Sequence, residues 1–204
     1  MSDFKSNFWD ERYSAEKYVY GTEPNQFFKV QLQKINPAGK LFLPGEGEGR
    51  NAVFAAKLRW SVDAFDQSSV AKMKALKLAE LNKVKINYLN VDLGKFIPQK
   101  NFYDCAAIIF VHLPSEIRSG FYRKIIESVK PKGKIILELF SENQLGKDSG
   151  GPQDINMLSS IEEIKNNFMD LNTLILKEEN IDLAEGEKHA GEASVIRFVG
   201  EKVL

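Results

Sequence analysis

The chain has 204 residues, with 28 basic side chains, 28 acidic side chains and no net formal charge at pH 7, so it lacks the basic excess typical of nucleic-acid-binding proteins. Its one cysteine excludes an intrachain disulfide and favours a reducing, cytoplasmic compartment. No apolar run approaches the roughly 20 residues of a membrane-spanning helix, so a membrane is not an expected partner. The balanced charge gives the same expectation for a nucleic acid.

Short apolar runs alternate with amphipathic runs along most of the chain, and this alternation predicts strands and helices in turn. Strands are predicted at residues 40–44, 61–66, 86–92, 103–112 and 134–140. Helices are predicted at residues 51–58, 68–82, 115–129 and 161–168. The second of these helices is indicated by apolar residues near helical spacing, namely Val70, Met73, Leu76, Leu78 and Leu81.

The end of the chain differs, because two strand-like runs at residues 172–183 and 193–203 are joined by about ten polar residues. Such a pair predicts antiparallel strands at one edge of a sheet. Repeated strand–helix units followed by this hairpin predict a single α/β domain with a doubly wound, mostly parallel sheet and helices on both faces. Sheets of this kind bind ligands at the carboxyl ends of their strands, so the loops there form the expected site.

Three glycines follow the first strand in the segment GEGEGRNA, which begins at Gly45. Glycine lets a ligand approach the main chain closely, and the following helix directs free N–H groups to the same place. Read from Gly47, the segment matches the dinucleotide fingerprint G-x-G-x-x-A, and read from Gly45 it matches the G-x-G-x-G loop of S-adenosylmethionine enzymes. A pyrophosphate beside Glu46 and Glu48 is unfavourable, whereas a sulfonium and an ammonium are tolerated, so charge favours S-adenosylmethionine.

Two aspartates at strand ends bear on the same choice. Asp66 ends the second strand, where a carboxylate can accept both hydroxyls of a ribose in either cofactor. Asp92 ends the third strand, where its carboxylate or the next backbone N–H can meet an adenine, as is more typical of methyltransferases than of dehydrogenases. An NAD(P)-binding oxidoreductase and a non-catalytic cofactor-binding module remain alternative interpretations.

Segments along almost the whole chain resemble class I S-adenosylmethionine-dependent methyltransferases, and most of all their small tellurite-resistance and thiopurine-methyltransferase-like branch. The segments are FWDERYSAEKYVYGTEPNQFF, LPGEGEGRNAVFAAKL, VDAFDQSS, NVDL, FVHLPSEIR, KPKGKIILELFSENQ and EGEKHAGEASVIRFVG. The resemblance implies a seven-stranded sheet in the order 3-2-1-4-5-7-6 with the last strand antiparallel. It also implies a helical lid, residues 1–36, over a Rossmann-like core, residues 37–204, in a monomer or a homodimer.

The activity that the resemblance implies is methyl transfer from S-adenosylmethionine, with S-adenosylhomocysteine as the product, to a small acceptor such as a thiol, a thiopurine or a chalcogen oxyanion. The residues that it implies at the cofactor are Tyr20, Gly45, Glu46, Gly47, Gly49, Arg50, Asn51, Asp66, Gln67, Ser68, Asp92, Leu93, Phe110 and Val111. The residues that it implies at the acceptor are Trp9, Tyr13, Phe140 and His189.

One catalytic candidate and one departure accompany this resemblance. His112 follows the fourth strand, where it can orient a nucleophile, accept its proton or simply cap the chain before Pro114. Most relatives have an acid at the position of Leu43, so the cofactor's ammonium must be bound elsewhere, by Glu46 or by main-chain carbonyls.

Four other features have more than one interpretation. The N-terminal aromatic residues either cover the cofactor or anchor a helix to the sheet edge. His189 lies between the last two strands, where a solvated hairpin loop is favoured over a metal site or a substrate entrance, and the two histidines give no metal-binding spacing. Arg50 and Arg118 either bind an anionic acceptor or form surface ion pairs. Residues 142–158 are polar and glycine-rich, which predicts a mobile lid beside the acceptor.

Overall fold

The computed structural model describes residues 8–203, so residues 1–7 of the predicted lid and Leu204 lie outside the described residues. The strands are β1 (Lys40–Pro44), β2 (Ser61–Asp66), β3 (Asn87–Asn90), β4 (Tyr103–Ile109), β5 (Val129–Phe140), β6 (Leu171–Ala184) and β7 (Ala190–Lys202). They form one seven-stranded sheet in the order β3-β2-β1-β4-β5-β7-β6, which confirms the predicted order. Strand β7 is antiparallel to β5 and β6, and the other neighbouring strands are parallel.

Helices cover both faces of the sheet, as predicted. They are α1 (residues 8–12), α2 (Gln26–Leu32), α3 (Arg50–Lys57), α4 (Ser69–Leu81), α5 (Ser115–Ser128) and α6 (Ile161–Asn167). Successive strand residues point to opposite faces, so Phe42 of β1 packs on the α5 and α6 side, whereas Leu41 and Leu43 pack on the side of α2, α3 and α4. No helix within residues 8–203 combines the length and the apolar composition needed to cross a bilayer.

Four boundaries differ from the prediction. Strand β4 ends at Ile109, because Phe110 adopts a left-handed backbone with a φ of 53° and residues 110–112 form a loop. Strand β3 ends at Asn90, so Asp92 lies in the following loop. Strand β5 begins directly after α5 instead of at residue 134, and the connection between β6 and β7 is shorter than expected, at residues 185–189.

The residues that α4 buries are mostly not the apolar residues whose spacing predicts this helix. Met73 and Leu81 are 63% and 68% exposed, and the residues that α4 buries are Ala71, Ala75, Leu78 and Ala79. The reason is the close approach of the glycine loop, residues 45–49. A Cβ atom on Gly49, which has a φ of 91°, would lie 2.6 Å from the Cβ of Ala75, so only small side chains fit between the loop and α4.

We expect Gly49→Ala to lower the free energy of unfolding by about 2–5 kcal/mol, from left-handed backbone strain together with overpacking against Ala75. The matched control is Gly120→Ala in α5, where a Cβ would meet no atom within 4 Å and where the better helix propensity of alanine should add about 0.5–1 kcal/mol. Urea unfolding of both variants measures the difference. Equal stability of the two variants would contradict the packing described here.

Candidate active site

A cavity of about 840 Å³ lies at the carboxyl ends of β1, β2 and β4, and its volume is typical of a small-molecule site. Its walls come from the glycine loop, the loops that follow β2, β3, β4 and β5, the N-terminal segment and the connection between β6 and β7. The predicted site residues that line it are Trp9, Tyr13, Tyr20, Gly45, Glu46, Gly47, Arg50, Asn51, Asp66, Gln67, Asp92, Leu93, Phe110, Val111, His112, Phe140 and His189.

Two residues expected at the cofactor, Gly49 and Ser68, are not part of this lining. Gly49 faces α4, as described above. Ser68 is the N-cap of α4: its Oγ accepts a hydrogen bond from the Ala71 N–H (3.0 Å) and donates one to Asp10 of α1 (2.6 Å). Both residues therefore support the cavity from behind instead of facing it.

The glycine loop is held between two other segments. Gly45 and Gly47 have φ angles of 65° and 63°, which favour glycine. A Cβ on Gly45 would lie 2.8 Å from the side chain of Val111, and one on Gly47 would lie 2.9 Å from the hydroxyl of Tyr13. The glycines therefore let the loop lie between the N-terminal segment and the loop that follows β4.

The two glutamates of the glycine loop have different surroundings. Glu48 is buried, forms an ion pair with Lys74 of α4 (2.5 Å) and accepts a hydrogen bond from the Val19 N–H (2.8 Å). Glu46 forms no ion pair with any residue from 8 to 203, and its carboxylate accepts a hydrogen bond from the Ala52 N–H (2.8 Å). Burial raises the pKa of Glu46 to about 7, although the bond from Ala52 opposes this shift.

Asp66 and Asp92 complete, with Glu46, a row of carboxylates that we call the carboxylate wall. Asp66 is buried at the end of β2 and accepts hydrogen bonds from the backbone N–H groups of Gly47 (3.1 Å) and Ser68 (2.9 Å). Burial raises the pKa of Asp66 to about 6, although these two bonds oppose the shift. No ion pair among the described residues involves any of the three carboxylates, and the nearby Arg50, whose charge opposes the rise in the pKa of Glu46, is itself paired with Glu185.

The N-terminal segment, residues 8–25, is bound across the cavity by polar contacts to α4. The carboxylate of Asp10 accepts hydrogen bonds at the first turn of α4. The ammonium of Lys74 donates to the main-chain carbonyls of residues 15 and 17, both at 2.8 Å. These contacts place the stacked rings of Trp9 and Tyr13, whose centroids are 5.6 Å apart, at the cavity.

Five rings form a second surface of the cavity, which we call the aromatic wall: Tyr20, Phe110, His112, Phe140 and His189. The ring centroid of His189 lies 4.5 Å from that of Tyr20, 4.6 Å from that of Phe110 and 5.3 Å from that of Phe140. His112 stacks on Phe140, with centroids 5.4 Å apart and ring planes 19° apart. The aromatic wall therefore offers a weakly polar surface in which the ring of His189 is nearly perpendicular to those of Phe110 and Phe140.

His189 is 5% exposed, so the expected solvated hairpin loop is wrong at this residue. The shortened connection between β6 and β7 folds its ring inward, where Nδ1 lies 3.8 Å from the carboxylate of Glu185. Burial would raise the pKa of Glu185, but the adjacent His189 and the charge of Arg50 outweigh it and lower the pKa to about 2. Glu185 is therefore an ionised carboxylate beside a buried imidazole.

Both imidazoles of the aromatic wall are neutral at pH 7. Burial and, to a smaller extent, the nearby His189 lower the pKa of His112 to about 3. Burial also lowers the pKa of His189, although Glu185 opposes this shift. Neither ring nitrogen of His112 has a hydrogen-bond partner among the described residues, so the expected cap before Pro114 is not formed by this side chain.

The two arginines considered for an anionic acceptor are both engaged in ion pairs, and these pairs are buried instead of lying on the surface. Arg50 pairs with Glu185 (2.6 Å), and Arg118 pairs with Glu163 (2.8 Å). Neither guanidinium is free to bind an anion. Within residues 8–203, no group of three or more histidine, cysteine, aspartate or glutamate side chains could hold a metal ion.

Several cavity residues were not identified from the sequence, and two of them, Arg12 and Lys188, are charged. Arg12 lies three residues after Trp9 in a helical segment, and this spacing places it on the same face. Lys188 precedes His189 in a connection whose inward fold has no sequence signature. Residues 147–153 also line the cavity, and they belong to the glycine-rich segment that was expected beside the acceptor.

Comparison with known proteins finds similar structures but no protein with a matching sequence. No protein-family model and no curated protein matches the chain. A protein from a study of the conversion of a disulfide bond into a thioacetal group during echinomycin biosynthesis superposes with a TM-score of 0.75 and 13% identity, over 98% of this chain and 92% of that one. TehB from Haemophilus influenzae superposes with a TM-score of 0.72 and 17% identity, over 97% of this chain and 67% of that one.

An S-adenosylmethionine-dependent methyltransferase from Methanosarcina mazei superposes with a TM-score of 0.66 and 14% identity, over 89% of this chain and 99% of that one. Identities this low show the fold alone. The chain therefore has the α/β fold of S-adenosylmethionine-dependent methyltransferases, with the same strand order that its sequence predicts.

Proposed function

We propose that this chain is a methyltransferase that uses S-adenosylmethionine to methylate a small, uncharged acceptor, with a thiol as the favoured class. The observation that carries the proposal is the carboxylate wall: Glu46, Asp66 and Asp92 line the cavity without an ion-pairing cation. The wall lies beside a glycine loop that exposes main chain to a ligand. A cationic ligand is the natural complement of such a surface.

The charge of the two candidate cofactors separates them at this wall. S-adenosylmethionine carries a sulfonium and an ammonium against one carboxylate. A dinucleotide carries a pyrophosphate, and two like charges about 4 Å apart near a protein surface repel by about 4 kcal/mol. Lys74 pairs with Glu48, whereas Glu46 in the same loop has no ion-pair partner among residues 8–203. The wall therefore supports S-adenosylmethionine over NAD(P).

The chain's own residues can hold this cofactor in a defined way. Asp66 would accept the ribose hydroxyls, and Asp92 with Leu93 would meet the adenine. When bound, S-adenosylmethionine supplies a methyl group on a positively charged sulfur that a nucleophile can displace. The remaining task of the protein is to align the acceptor and exclude water, which Trp9 and Tyr13 of the N-terminal segment would do.

The aromatic wall supports an uncharged acceptor over a chalcogen oxyanion. Both of its histidines are neutral at pH 7, and Arg50 and Arg118 are already paired. Arg12 and Lys188 also line the cavity and have no ion-pair partner among residues 8–203, so the support for an uncharged acceptor comes from the neutral rings, against which a thiol or a flat thiopurine would pack. We propose a small-molecule partner on these grounds, with no nucleic acid or membrane in the reaction.

We assign the proton-accepting role to His189 in preference to His112. The carboxylate of Glu185 lies 3.8 Å from Nδ1 of His189, and its charge opposes the lowering of the His189 pKa by burial, which favours His189 as the base. A pKa of about 3 makes His112 a weak base, and its stacking on Phe140 suits it to positioning the acceptor. His189 would take the proton that a neutral thiol loses when its sulfur is methylated.

We expect S-adenosylhomocysteine to bind this protein and NADH not to bind. At pH 8, where Asp66 with its pKa of about 6 is ionised, Asp66→Asn should weaken S-adenosylhomocysteine binding by about 10- to 100-fold, because a charged hydrogen bond to the ribose is lost. Isothermal titration calorimetry measures the change.

The matched control for this prediction is Asp63→Asn on the same strand, because Asp63 bonds to Asn87 (2.8 Å) and Tyr103 (3.1 Å) outside the cavity. This variant should bind the ligand as the wild type does. Thermal protection by NADH with none by S-adenosylhomocysteine would support the oxidoreductase alternative instead.

We expect His189→Gln to slow methylation of an alkyl thiol at pH 7 by about 100-fold or more, because this acceptor must lose a proton. An aromatic thiol that is already ionised at pH 7 should lose much less activity. His112→Gln is the matched control and should affect the two acceptors to the same extent.

Steady-state rates with both acceptors across pH 6–9 check this assignment. An equal loss for both acceptors in His189→Gln would show that the residue does not act as a base. Tight binding of S-adenosylhomocysteine without methyl transfer to any member of a broad acceptor panel would support the non-catalytic module.

A further inference from the structure

Glu46 differs from every other acidic side chain around the glycine loop. Glu48 is paired with Lys74, and Glu185 is paired with Arg50. Glu46 lines the cavity one residue after Gly45 and has no ion-pair partner among residues 8–203. Its carboxylate is thus the only one among these three glutamates that is free to receive a cation from a ligand.

Neutral groups fix the carboxylate of Glu46 in place. Oε1 accepts a hydrogen bond from the Ala52 N–H (2.8 Å), and Oε2 lies 3.4 Å from Nδ2 of Asn51. Asn51 is itself held, because its Oδ1 accepts a hydrogen bond from the Asn25 N–H (2.9 Å). The carboxylate is therefore preorganised, but none of its donors carries a positive charge to compensate it.

Leu43 cannot bind the ammonium of a ligand, which leaves this role to another residue of the same segment. Leu43 is 1% exposed and packs in the apolar core on one face of the sheet, so it offers nothing polar to a ligand. Glu46 follows it by three residues along the same rim and brings the carboxylate to the cavity from the loop instead of from β1.

We propose that Glu46 is the anion that receives the primary ammonium of bound S-adenosylmethionine, an inference that rests on the proposed function. The ion pair would form inside the cavity, where water is largely excluded and the pairing is strengthened. Glu46 is a binding and positioning residue in this assignment, because fixing the ammonium also fixes the neighbouring sulfonium.

Three ligands separate this role from a general effect on the loop. S-adenosylhomocysteine carries an ammonium and a carboxylate, S-adenosyl-3-thiopropylamine keeps only the ammonium, and 5′-methylthioadenosine has neither. Glu46→Gln retains an oxygen for the Ala52 N–H and removes the charge. We expect this variant to bind the first two ligands about 10- to 100-fold more weakly at pH 8 and to bind 5′-methylthioadenosine with unchanged affinity.

Calorimetry on wild type, Glu46→Gln and the surface control Glu80→Gln gives the comparison. Unchanged affinity of Glu46→Gln for S-adenosyl-3-thiopropylamine would overturn the proposal and leave main-chain carbonyls as the ammonium site. An equal loss for all three ligands would overturn it as well, because it would show a distorted glycine loop. If the wild type binds none of the three ligands, the proposed function itself fails, and the assignment of Glu46 fails with it.

Formation of this ion pair should also release a proton from Glu46 when the ligand binds. With a pKa of about 7, the free carboxyl of Glu46 is about half protonated at pH 7, and an arriving ammonium should expel that proton. The other titratable groups around this part of the cavity are Arg50 of α3, Asp66 of β2, Glu48 of the glycine loop and Tyr13 of the N-terminal segment, while Tyr88 of β3 lies behind the loop and donates to the Gly47 carbonyl. Arg50 is permanently charged, burial raises the pKa of Tyr88 well above neutrality, and Asp66 titrates at about 6.

Because Asp66 titrates nearby, the proton count is taken as the difference between wild type and Glu46→Gln. Calorimetry at pH 7 in two buffers of different ionisation enthalpy should show about half a proton more released by the wild type on binding S-adenosylhomocysteine. This difference should disappear at pH 9, where Glu46 is ionised before the ligand arrives. Greater proton release by Glu46→Gln than by the wild type at pH 7 would contradict the assignment.

Discussion

The side chain of Asn25 is the contact on which the arrangement of the cavity depends. Its Nδ2 donates to Glu138 of β5 (2.6 Å) and to Glu185 of the β6–β7 connection (3.0 Å), and its backbone N–H donates to Asn51 of α3 (2.9 Å). Glu138 is fully buried and pairs with Arg197 of β7. One buried amide therefore joins the N-terminal segment, the sheet and the glycine loop, and its loss would remove one donor from each of two carboxylates, which keep Arg197 and Arg50.

This network lies between the two surfaces on which the function depends. Through Asn51 it contacts Glu46 of the carboxylate wall, and through Glu185 it places a carboxylate 3.8 Å from Nδ1 of His189 in the aromatic wall. One surface carries acidic side chains without ion-pair partners among the described residues, which we propose receive a cationic cofactor, and the other carries rings that we propose receive the acceptor. The two surfaces differ because Glu48 and Glu185 form ion pairs within the fold, whereas Glu46 forms none among the described residues. Charge pairing inside the fold thus decides what each surface can bind.

Much of the architecture follows from local patterns. Short apolar runs gave strands within a few residues of their observed ends, and the glycine spacing gave the loop with positive φ angles at Gly45, Gly47 and Gly49. The errors fall where distant contacts override the pattern. Helix α4 buries alanines because the glycine loop presses on Ala75, and β4 ends early because Phe110 turns into the left-handed region to reach the cavity.

The sequence by itself determined most strands and helices and the position of the glycine loop, because strand periodicity and turn chemistry are properties of neighbouring residues, whereas the sheet order and most of the site residues came from the family resemblance. Only the tertiary structure decided that Glu48 is neutralised while Glu46 is not, and that His189 is buried beside Glu185. These outcomes depend on partners far away in the chain, as with Asn25 and Glu138, which are 113 residues apart. Burial and ion pairing are set by the whole packed molecule, so no local pattern contains them.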